Sequence, residues 1–227
     1  MRDIFNETDM DERLAALLAE GSAALAAADL ARQRDVLNEL ADVCRNIGPA
    51  AAAAVPLLMG WPITANREAE ESVCYALSYC APASIVPLLE QLDDLSETAR
   101  QRACRTLSLI GPDFGDHLIS VSDGLLRRLR DPSVLVRKAA AFALGFTGDA
   151  RPQVIERLKE IGHAGSTAER AAALHALGNI GGAALKDRVG LEWSPTASCA
   201  DLVLSALDDA DEDVRRSACH GAMRESW

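Results

Sequence analysis

The sequence predicts an all-α protein, a right-handed α-solenoid of about six helix pairs, and two observations predict it. A segment of 20 residues recurs without a gap at 92–111, 129–148 and 207–226, with Asp at its third position and Arg at its ninth. No stretch of the chain alternates between apolar and polar residues as a half-buried strand would. A repeat of this size is typical of helical units that stack along the chain and share one core.

Three further segments fit the same frame less closely. Residues 162–181 keep the arginine as Arg170 but have Ala164 in place of the aspartate. Two weaker copies complete the series, and the anchors at the ninth position are Leu37, Glu70, Arg100, Arg137, Arg170 and Arg215. We therefore predict one repeat domain over residues 1–227, with units at roughly 10–48, 50–81, 83–111, 116–148, 151–181 and 198–227 and an insertion at 182–197.

Each unit is expected to contain two helices. Apolar residues recur with the helical period in the first helices, which are predicted over 51–59, 85–92, 117–130, 152–161 and 200–207. A turn rich in Asp, Ser, Pro and Gly follows, and the second helix then carries the anchor. Ser166 and Glu169 have the spacing of a capping box. Glycine is typical just past a helix end, so the second helices are predicted to end at Gly48, Gly111, Gly148 and Gly181.

The repeat is similar to that of a known family. Its order of Asp, Val-Arg, Ala and Ala-Leu-Gly resembles a HEAT repeat of the short bacterial kind that also occurs in phycobilin lyases. The residues that carry the resemblance best are Asp131, Val136, Arg137, Ala140, Ala143, Leu144 and Gly145. The resemblance extends from roughly residue 30 onward and fits best over residues 85–181. It implies an α-solenoid, but HEAT arrays bind proteins, nucleic acids or small molecules, so the fold alone names no function.

The resemblance also implies a structural role for the aspartates and arginines. In HEAT repeats these residues form a ladder of hydrogen bonds between successive turns. The matching residues here are Asp94, Arg100, Asp131, Arg137, Asp209 and Arg215. Ala164 and the first two units lack the aspartate–arginine pair. We therefore interpret these charged side chains as structural rather than functional.

The composition is acidic. With 34 Asp and Glu against 23 Lys and Arg, the formal net charge is −11 and the pI is about 4.8. Such a chain repels phosphates, so no nucleic acid is expected as a partner. A cationic protein partner fits this charge, and so does an acidic surface that is merely solvated.

No targeting or membrane segment is predicted. The first residues, MRDIFNETDMDERLAALLAEG, are acidic where a signal peptide is basic, and no apolar run approaches the ~20 residues that span a membrane. We expect a cytoplasmic protein. None of the six cysteines forms a C-x-x-C pair, so neither a disulfide framework nor a metal site is expected. Cys74, Cys104 and Cys219 fall on the predicted core side of their helices.

The chain carries no recognisable catalytic motif. The G-x-S-x-G, H-E-x-x-H, phosphate-loop and dinucleotide-binding patterns are absent, and the four histidines are scattered over different units. We therefore predict that the protein is not an enzyme and has no catalytic residue, cofactor or metal.

Helical geometry predicts the exposed side of each second helix. Positions −1, +3, +7 and +10 from the anchor share one side, which is assigned to the core, whereas +5 and +9 point away from it, toward a concave surface. The +5 row is Asp42, Tyr75, Arg105, Phe142, His175 and His220, and the +9 row is Asn46, Tyr79, Leu109, Phe146, Asn179 and Arg224. Interfaces are enriched in aromatic residues and arginine. Alternatively, the +9 row touches the next unit and is buried.

The candidate partner-binding residues come from these rows and from the insertion. Those on the rows are Asp42, Tyr75, Tyr79, Arg105, Phe142, Phe146, His175 and His220. Trp193 belongs to the insertion, where a tryptophan either covers an exposed end of the core or contacts a partner.

Together these features predict a non-enzymatic module that binds a protein partner in an acidic concave groove with aromatic anchors. A small acidic array resembles bacterial immunity proteins that neutralise a cognate toxin, so a basic toxin or effector is the most specific partner predicted. Three alternatives stay open. An assembly scaffold would have constitutive partners, a HEAT-like lyase subunit would purify with a chromophore, and a HEAT-repeat DNA glycosylase would have a basic concave face.

Overall fold

The structure is a computed structural model and describes residues 7–62, 66–186 and 202–225. Every regular element in these ranges is helical, which confirms the predicted all-α class. The chain divides into two compact units, Met1–Glu90 and Gln91–Trp227. The boundaries of the six repeats within one domain stay a prediction.

Unit 1 is built from paired helices. Its helices are α1 (Glu7–Ala26), α2 (Leu30–Ile47), α3 (Val55–Met59), α4 (Arg67–Tyr79) and α5 (Ile85–Gln91), which ends one residue past the unit. A 3-10 helix, Gly48–Ala54, leads into α3, so the helix predicted over 51–59 begins as a tighter turn. α2 packs against both α1 and α4. The second helices of the first two predicted repeats are therefore neighbours.

Unit 2 shows the stacking more completely. Its helices are α6 (Glu97–Ile110), α7 (Leu118–Arg128), α8 (Val134–Thr147), α9 (Pro152–Ala164), α10 (Thr167–Lys186) and α11 (Glu212–Glu225). α7 pairs with α8, α9 pairs with α10, and the 3-10 turn Ala206–Asp208 pairs with α11. The second helices α6, α8, α10 and α11 pack on one another in chain order. This arrangement places α8 and α10 each between two neighbouring second helices, which bury their apolar sides.

Local signals explain where the second helices begin and end. The side-chain oxygens of Ser96 and Ser133 accept hydrogen bonds from the first backbone N–H groups of α6 and α8. Gly111 and Gly148 follow these helices with positive φ angles of 72° and 71°, which glycine adopts without steric cost. The prediction that Gly181 ends a helix is wrong, because α10 continues to Lys186. The residues after Gly181 are Gly-Ala-Ala-Leu-Lys, and four of these five are strong helix formers.

The core lies on the predicted side of the second helices. Val136, Ala140 and Leu144 are fully buried on α8. Cys219 departs from this pattern and is exposed, which corrects its assignment to the core. α11 packs on α10, and no later helix of the described chain covers its other side.

A ladder of arginine–carboxylate pairs joins the second helices of unit 2. Arg100 donates from Nε and Nη2 to the two carboxylate oxygens of Asp131, at 2.7 and 2.9 Å. Arg170 donates from Nη2 to Asp209 at 2.8 Å. The remaining nitrogen of Arg100, Nη1, donates to the carbonyl oxygen of Asp94 at 2.9 Å, within its own turn. The expected ladder is confirmed for Arg100, Asp131 and Asp209, and it runs from the arginine of one repeat to the carboxylate of the next. Arg215 donates instead to the carbonyl oxygens of Asp209 and Ala210 in its own turn. The Asp94 carboxylate accepts the nearby backbone N–H of Ser96.

Glu169 replaces the aspartate that the fifth repeat lacks. Arg137 Nε donates to Glu169 Oε1 at 2.5 Å, so the ladder continues across this repeat. The other oxygen of the same carboxylate accepts the backbone N–H of Ser166 at 3.0 Å, as the predicted capping box requires. The Glu169 side chain therefore caps α10 and also accepts a hydrogen bond from Arg137 of α8.

These carboxylates are ionised because their partners outweigh their burial. Burial by itself raises the pKa of Asp131, but the hydrogen bonds from Arg100 and from the Ser133 amide bring that pKa below its ordinary value. Burial likewise opposes ionisation of Glu169, and the hydrogen bond from Arg137 holds the pKa of Glu169 below its ordinary value. The ladder is thus a set of ion pairs at neutral pH.

Candidate functional site

The +5 residues of α8, α10 and α11 form a continuous stack of rings. Phe142 on α8 faces His175 on α10, with ring centroids 4.8 Å apart and planes inclined by 26°. His175 in turn faces His220 on α11 at 4.6 Å, with planes inclined by only 2°. Offset and parallel contacts at these distances are favourable for aromatic rings. The structure therefore brings together three of the predicted site residues from three successive second helices.

Phe146 extends the stack from the +9 row. Its ring lies 5.0 Å from the ring of Phe142 and 5.9 Å from that of His175. Phe142 and Phe146 are four residues apart on one helix, which places them one turn apart on the same face. We call Phe142, Phe146, His175 and His220 the ring stack.

Asn179 forms a hydrogen bond with one imidazole of the ring stack, that of His175. Its Nδ2 lies 3.2 Å from Nδ1 of His175, one helical turn earlier. Asn179 is buried, although it belongs to the +9 row, and its Oδ1 has no hydrogen-bond partner within the described chain. The +9 row is thus divided in its exposure, because Leu109 on the same row is exposed and Phe146 is half-buried.

A groove of about 410 Å³ opens beside the ring stack. Phe142 and His175 form part of its wall, and its lining also includes the small side chains of Ala168, Ala171 and Ala172. Phe142 is 38% exposed. The groove therefore offers an open apolar surface between α8, α10 and α11.

The charges in this groove differ from the expectation of an acidic surface. Lys138 and Arg216 line it together with one carboxylate, that of Asp213. Arg216 is paired with Asp213 at 3.0 Å and with Glu212 at 2.7 Å. Lys138 makes no ion pair with any described residue. The acidity of the chain thus lies outside this groove.

The cations that line the groove lie outside rows +5 and +9, but the sequence pattern contains a signal for them. Lys138 and Arg216 come four residues before Phe142 and His220, so helical geometry places them one turn away on the same face. Leu135 comes seven residues before Phe142 and is exposed. A third row, at +1, would have found both cations.

The predicted residues of unit 1 form a separate patch. Asp42 is exposed and pairs with Arg45 at 3.0 Å. The guanidinium carbon of Arg45 lies 6.0 Å from the ring centroid of Tyr79, within range of a cation–π contact. Tyr75, one turn before Tyr79, is 46% exposed. We call Asp42, Arg45, Tyr75 and Tyr79 the tyrosine patch.

Two candidates lie outside both groups. Arg105 occupies the +5 position of α6 and is half-buried. Trp193 falls outside the described residues.

The described residues lack two further kinds of feature. No group of three His, Cys, Asp or Glu side chains there is arranged to hold a metal ion. None of the described helices is long and apolar enough to span a bilayer.

The repeat itself has a family match. The model of the family described as HEAT repeats matches residues 85–178. Residues 85–178 are HEAT repeats. This segment contains most of the arginine–carboxylate ladder together with Phe142, Phe146 and His175 of the ring stack. A comparison with curated protein sequences gave no match.

Solved structures share the fold. A designed armadillo repeat protein, YIII(Dq.V1)4CPAF in complex with the peptide (KR)4, is 17% identical, with a TM-score of 0.58 over 94% of this chain and 99% of that one. The complex of CpcE and CpcF of phycocyanin lyase from Nostoc sp. PCC7120 is 24% identical, with a TM-score of 0.57 over 75% of this chain and 98% of that one. These likenesses, together with the HEAT repeats, identify the fold as an α-solenoid of the kind typical of protein-interaction scaffolds.

Proposed function

We propose that this chain is a non-enzymatic protein-binding module and that the ring stack is its principal contact surface. The main support for this proposal is that Phe142 is exposed although its ring is packed against two other rings. Its ring is held by His175 on one side and by Phe146 on its own helix. An exposed ring that is already immobilised loses little conformational entropy when a partner covers it.

The groove supports an extended segment as the partner's contacting element. Its lining of alanines leaves room for side chains beside the stacked rings of Phe142 and His175. Lys138 and the paired Arg216 supply polar groups at the edge of this apolar surface. An apolar centre with a polar rim is the usual anatomy of a protein interface.

A site-specific photo-crosslinker tests this placement. A benzophenone side chain at position 142 should give a covalent adduct with the partner when the chain is expressed in its native cell. The same group at position 119 is the matched control, because Ile119 is also an exposed apolar residue of unit 2, 58% exposed, but lies on α7. Equal adducts at both positions, or adducts at 119 alone, would contradict the proposal.

We further propose that the partner is basic, with a cognate toxin as its most specific form. The net charge of −11 supports a cationic partner. One structural neighbour of this chain is in complex with a (KR)4 peptide, although the likeness concerns the fold. The tyrosine patch suits the cationic side chains of such a partner, since Asp42 can pair with them and the exposed ring of Tyr75 can accept a cation–π contact.

Coexpression tests the toxin proposal. Expression of the adjacent gene alone should arrest growth in the cytoplasm of a host cell, and coexpression with this chain should restore it. A variant with Phe142→Ala and Tyr75→Ala together should restore growth poorly. If this chain does not relieve the growth arrest, the proposal that it neutralises a toxin is contradicted. The broader proposal of protein binding is not affected by that outcome.

A second candidate function, a subunit of a bilin lyase, has one observation in its favour. The likeness to the CpcE–CpcF complex covers 75% of this chain. An open-chain tetrapyrrole that binds should change its visible absorption when the purified chain is added. An unchanged spectrum would dismiss this candidate.

A further inference from the structure

Two thiols of unit 1 lie in direct contact. Cys44 is in the last turn of α2, and Cys80 immediately follows α4. Their sulfur atoms are 3.7 Å apart although the residues are 36 positions apart in the chain. Both side chains are fully buried. The packing of α2 on α4 therefore creates a dithiol that neither helix contains alone.

The two thiols are not equivalent. The hydrogen bond with Cys80 and burial raise the pKa of Cys44 above its ordinary value, whereas the same hydrogen bond lowers the pKa of Cys80. Cys80 is therefore the thiol that ionises more readily, with Cys44 as its proton-bearing neighbour. Since the thiolate is the reacting form of cysteine, this division suits a nucleophilic thiol and a resolving thiol.

The position of Cys80 gives this buried pair a route to solvent. It precedes a turn in which Pro82 and Ala83 are exposed. Opening of this turn would uncover the Cys80 sulfur while the body of α4 stays packed on α2. Cys104 offers a contrast, because it lies in the middle of α6, where burial raises its pKa to about 12.

From this geometry we propose that Cys44 and Cys80 are a redox-active pair that closes into an intrachain disulfide when a peroxide reaches unit 1. The Cys80 thiolate attacks one peroxide oxygen and is oxidised to a sulfenic acid, and the O–O bond breaks to release, after protonation, one water. The Cys44 sulfur then attacks the sulfenic sulfur, its proton leaves with the hydroxyl as a second water, and the S–S bond forms. Two thiols and one peroxide thus give one disulfide and two waters.

Closure requires only a small displacement. The sulfurs must approach from 3.7 Å to the S–S bond length of about 2.0 Å. The disulfide would join the ends of α2 and α4 across a long loop, and a cross-link of this kind restricts the unfolded chain. Oxidation should therefore raise the melting temperature of the protein.

The test uses the full chain with Cys199→Ser and Cys219→Ser, which removes the exposed Cys219 and the one cysteine outside the described residues. After exposure to hydrogen peroxide in the native state, the remaining thiols are alkylated in denaturant and the protein is weighed and digested. We expect the loss of two alkylation sites, so that the alkylated protein lacks two alkyl groups and weighs two hydrogen atoms less than the unoxidised protein with the same number of alkyl groups. We also expect one cross-linked peptide pair that contains Cys44 and Cys80. The cross-link should disappear on reduction.

Single substitutions in the same background identify the pair. Cys44→Ser and Cys80→Ser should each abolish the cross-link, and Cys74→Ser, a change at another buried cysteine of α4, should preserve it. Peptide mapping without further substitutions keeps the proposal falsifiable if a serine variant fails to fold. The proposal is overturned if Cys44 and Cys80 oxidise no faster than Cys104, or if the cross-link forms only at denaturant concentrations that unfold the chain.

Discussion

Glu169 accepts a hydrogen bond from Arg137, with 2.5 Å between Nε of the arginine and Oε1 of the carboxylate. The position of Glu169 in the repeat is occupied by an apolar residue in the other repeats of unit 2. The residues at the equivalent position are Ala99, Val136 and Val214. A buried carboxylate at an apolar position is stable only when it is paired. Glu169 is therefore a local solution to the missing aspartate at Ala164, and its removal leaves Arg137 without its carboxylate partner.

We predict that Glu169→Ala lowers the free energy of unfolding by about 2 kcal/mol, the value of a lost charged hydrogen bond. Urea denaturation at neutral pH measures this loss. Glu156→Ala is the matched control, because Glu156 lies on the exposed side of α9 and makes only a surface contact with Lys159. Equal losses for the two variants would show that Glu169 has no special role in the ladder.

The pKa values of Asp131 and Glu169 predict how stability depends on acid. Their folded-state pKa values lie below their ordinary values of about 4, so these two ion pairs stabilise the fold above pH ~4 and are lost as pH falls through the lower, folded-state pKa. The melting temperature should therefore fall steeply below about pH 4. Asp131→Asn should flatten this fall, whereas Asp116→Asn at an exposed site should leave it unchanged. Parallel pH profiles for all three proteins would argue against the ladder as the acid-sensitive element.

Gly145 of α8 lies directly against Ala176 of α10. A Cβ atom added there would lie 2.5 Å from the Cα of Ala176, a distance that forces the helices apart. We predict that Gly145→Ala costs about 2 kcal/mol of stability through overpacking. Gly60→Ala is the control, since its Cβ would find its nearest neighbour, the Pro56 carbonyl oxygen, at 3.4 Å. Thermal unfolding of the two variants compares them directly, and a Gly145 variant as stable as wild type would mean that the helix crossing adjusts.

Truncation of the ring stack is expected to weaken partner binding without unfolding the chain. Phe142→Ala should cost about 2 kcal/mol of binding free energy, mainly as faster dissociation, because its ring is the exposed apolar anchor. Surface plasmon resonance with the captured partner measures both rates, and Ile119→Ala provides the control from α7. A Phe142 variant that binds like wild type would remove the ring stack from the interface.

The charge of Asp42 should affect the rate of association rather than the rate of dissociation. If the partner is basic, Asp42→Asn should slow association by roughly twofold and leave dissociation nearly unchanged, since a charge at the rim mainly steers the encounter. Added salt should reduce the difference between the variant and wild type. The comparison needs only low and high salt in the same kinetic experiment. An effect confined to dissociation would place Asp42 inside the interface rather than at its rim.

The repeat explains why so much of the fold was predictable. Arg100 and Asp131 recur at fixed positions, and the resemblance of the repeat to HEAT repeats implied their structural role. The substitution of Glu169 could not, because it falls where the pattern expects an apolar residue. The prediction for Gly181 failed because the pattern was followed too closely there. The helix-forming residues after Gly181 stabilise the helix by more than one glycine destabilises it.

The members of the ring stack were predictable, but its geometry was not. The helical period places Phe142, His175 and His220 on one row, and the structure keeps them there. Their stacking distances depend on how closely α8, α10 and α11 approach, which a single-helix projection does not contain. The contact between Cys44 and Cys80 escaped prediction for a related reason, since it arises between two helices and outside the rows that were compared.

The ladder also bears on how such a chain can change its length. Arg100, Arg137 and Arg170 each pair with a carboxylate of the next repeat. A duplicated or deleted repeat with the usual aspartate would therefore preserve these pairings. The repeat that contains Glu169 is the exception, because its acceptor sits on the helix rather than in the preceding turn. We infer that gene duplication could copy the repeats around Arg100 and Arg137 without loss of these ion pairs. The repeat that has Ala164 in place of the aspartate must instead retain Glu169 to pair with the preceding arginine.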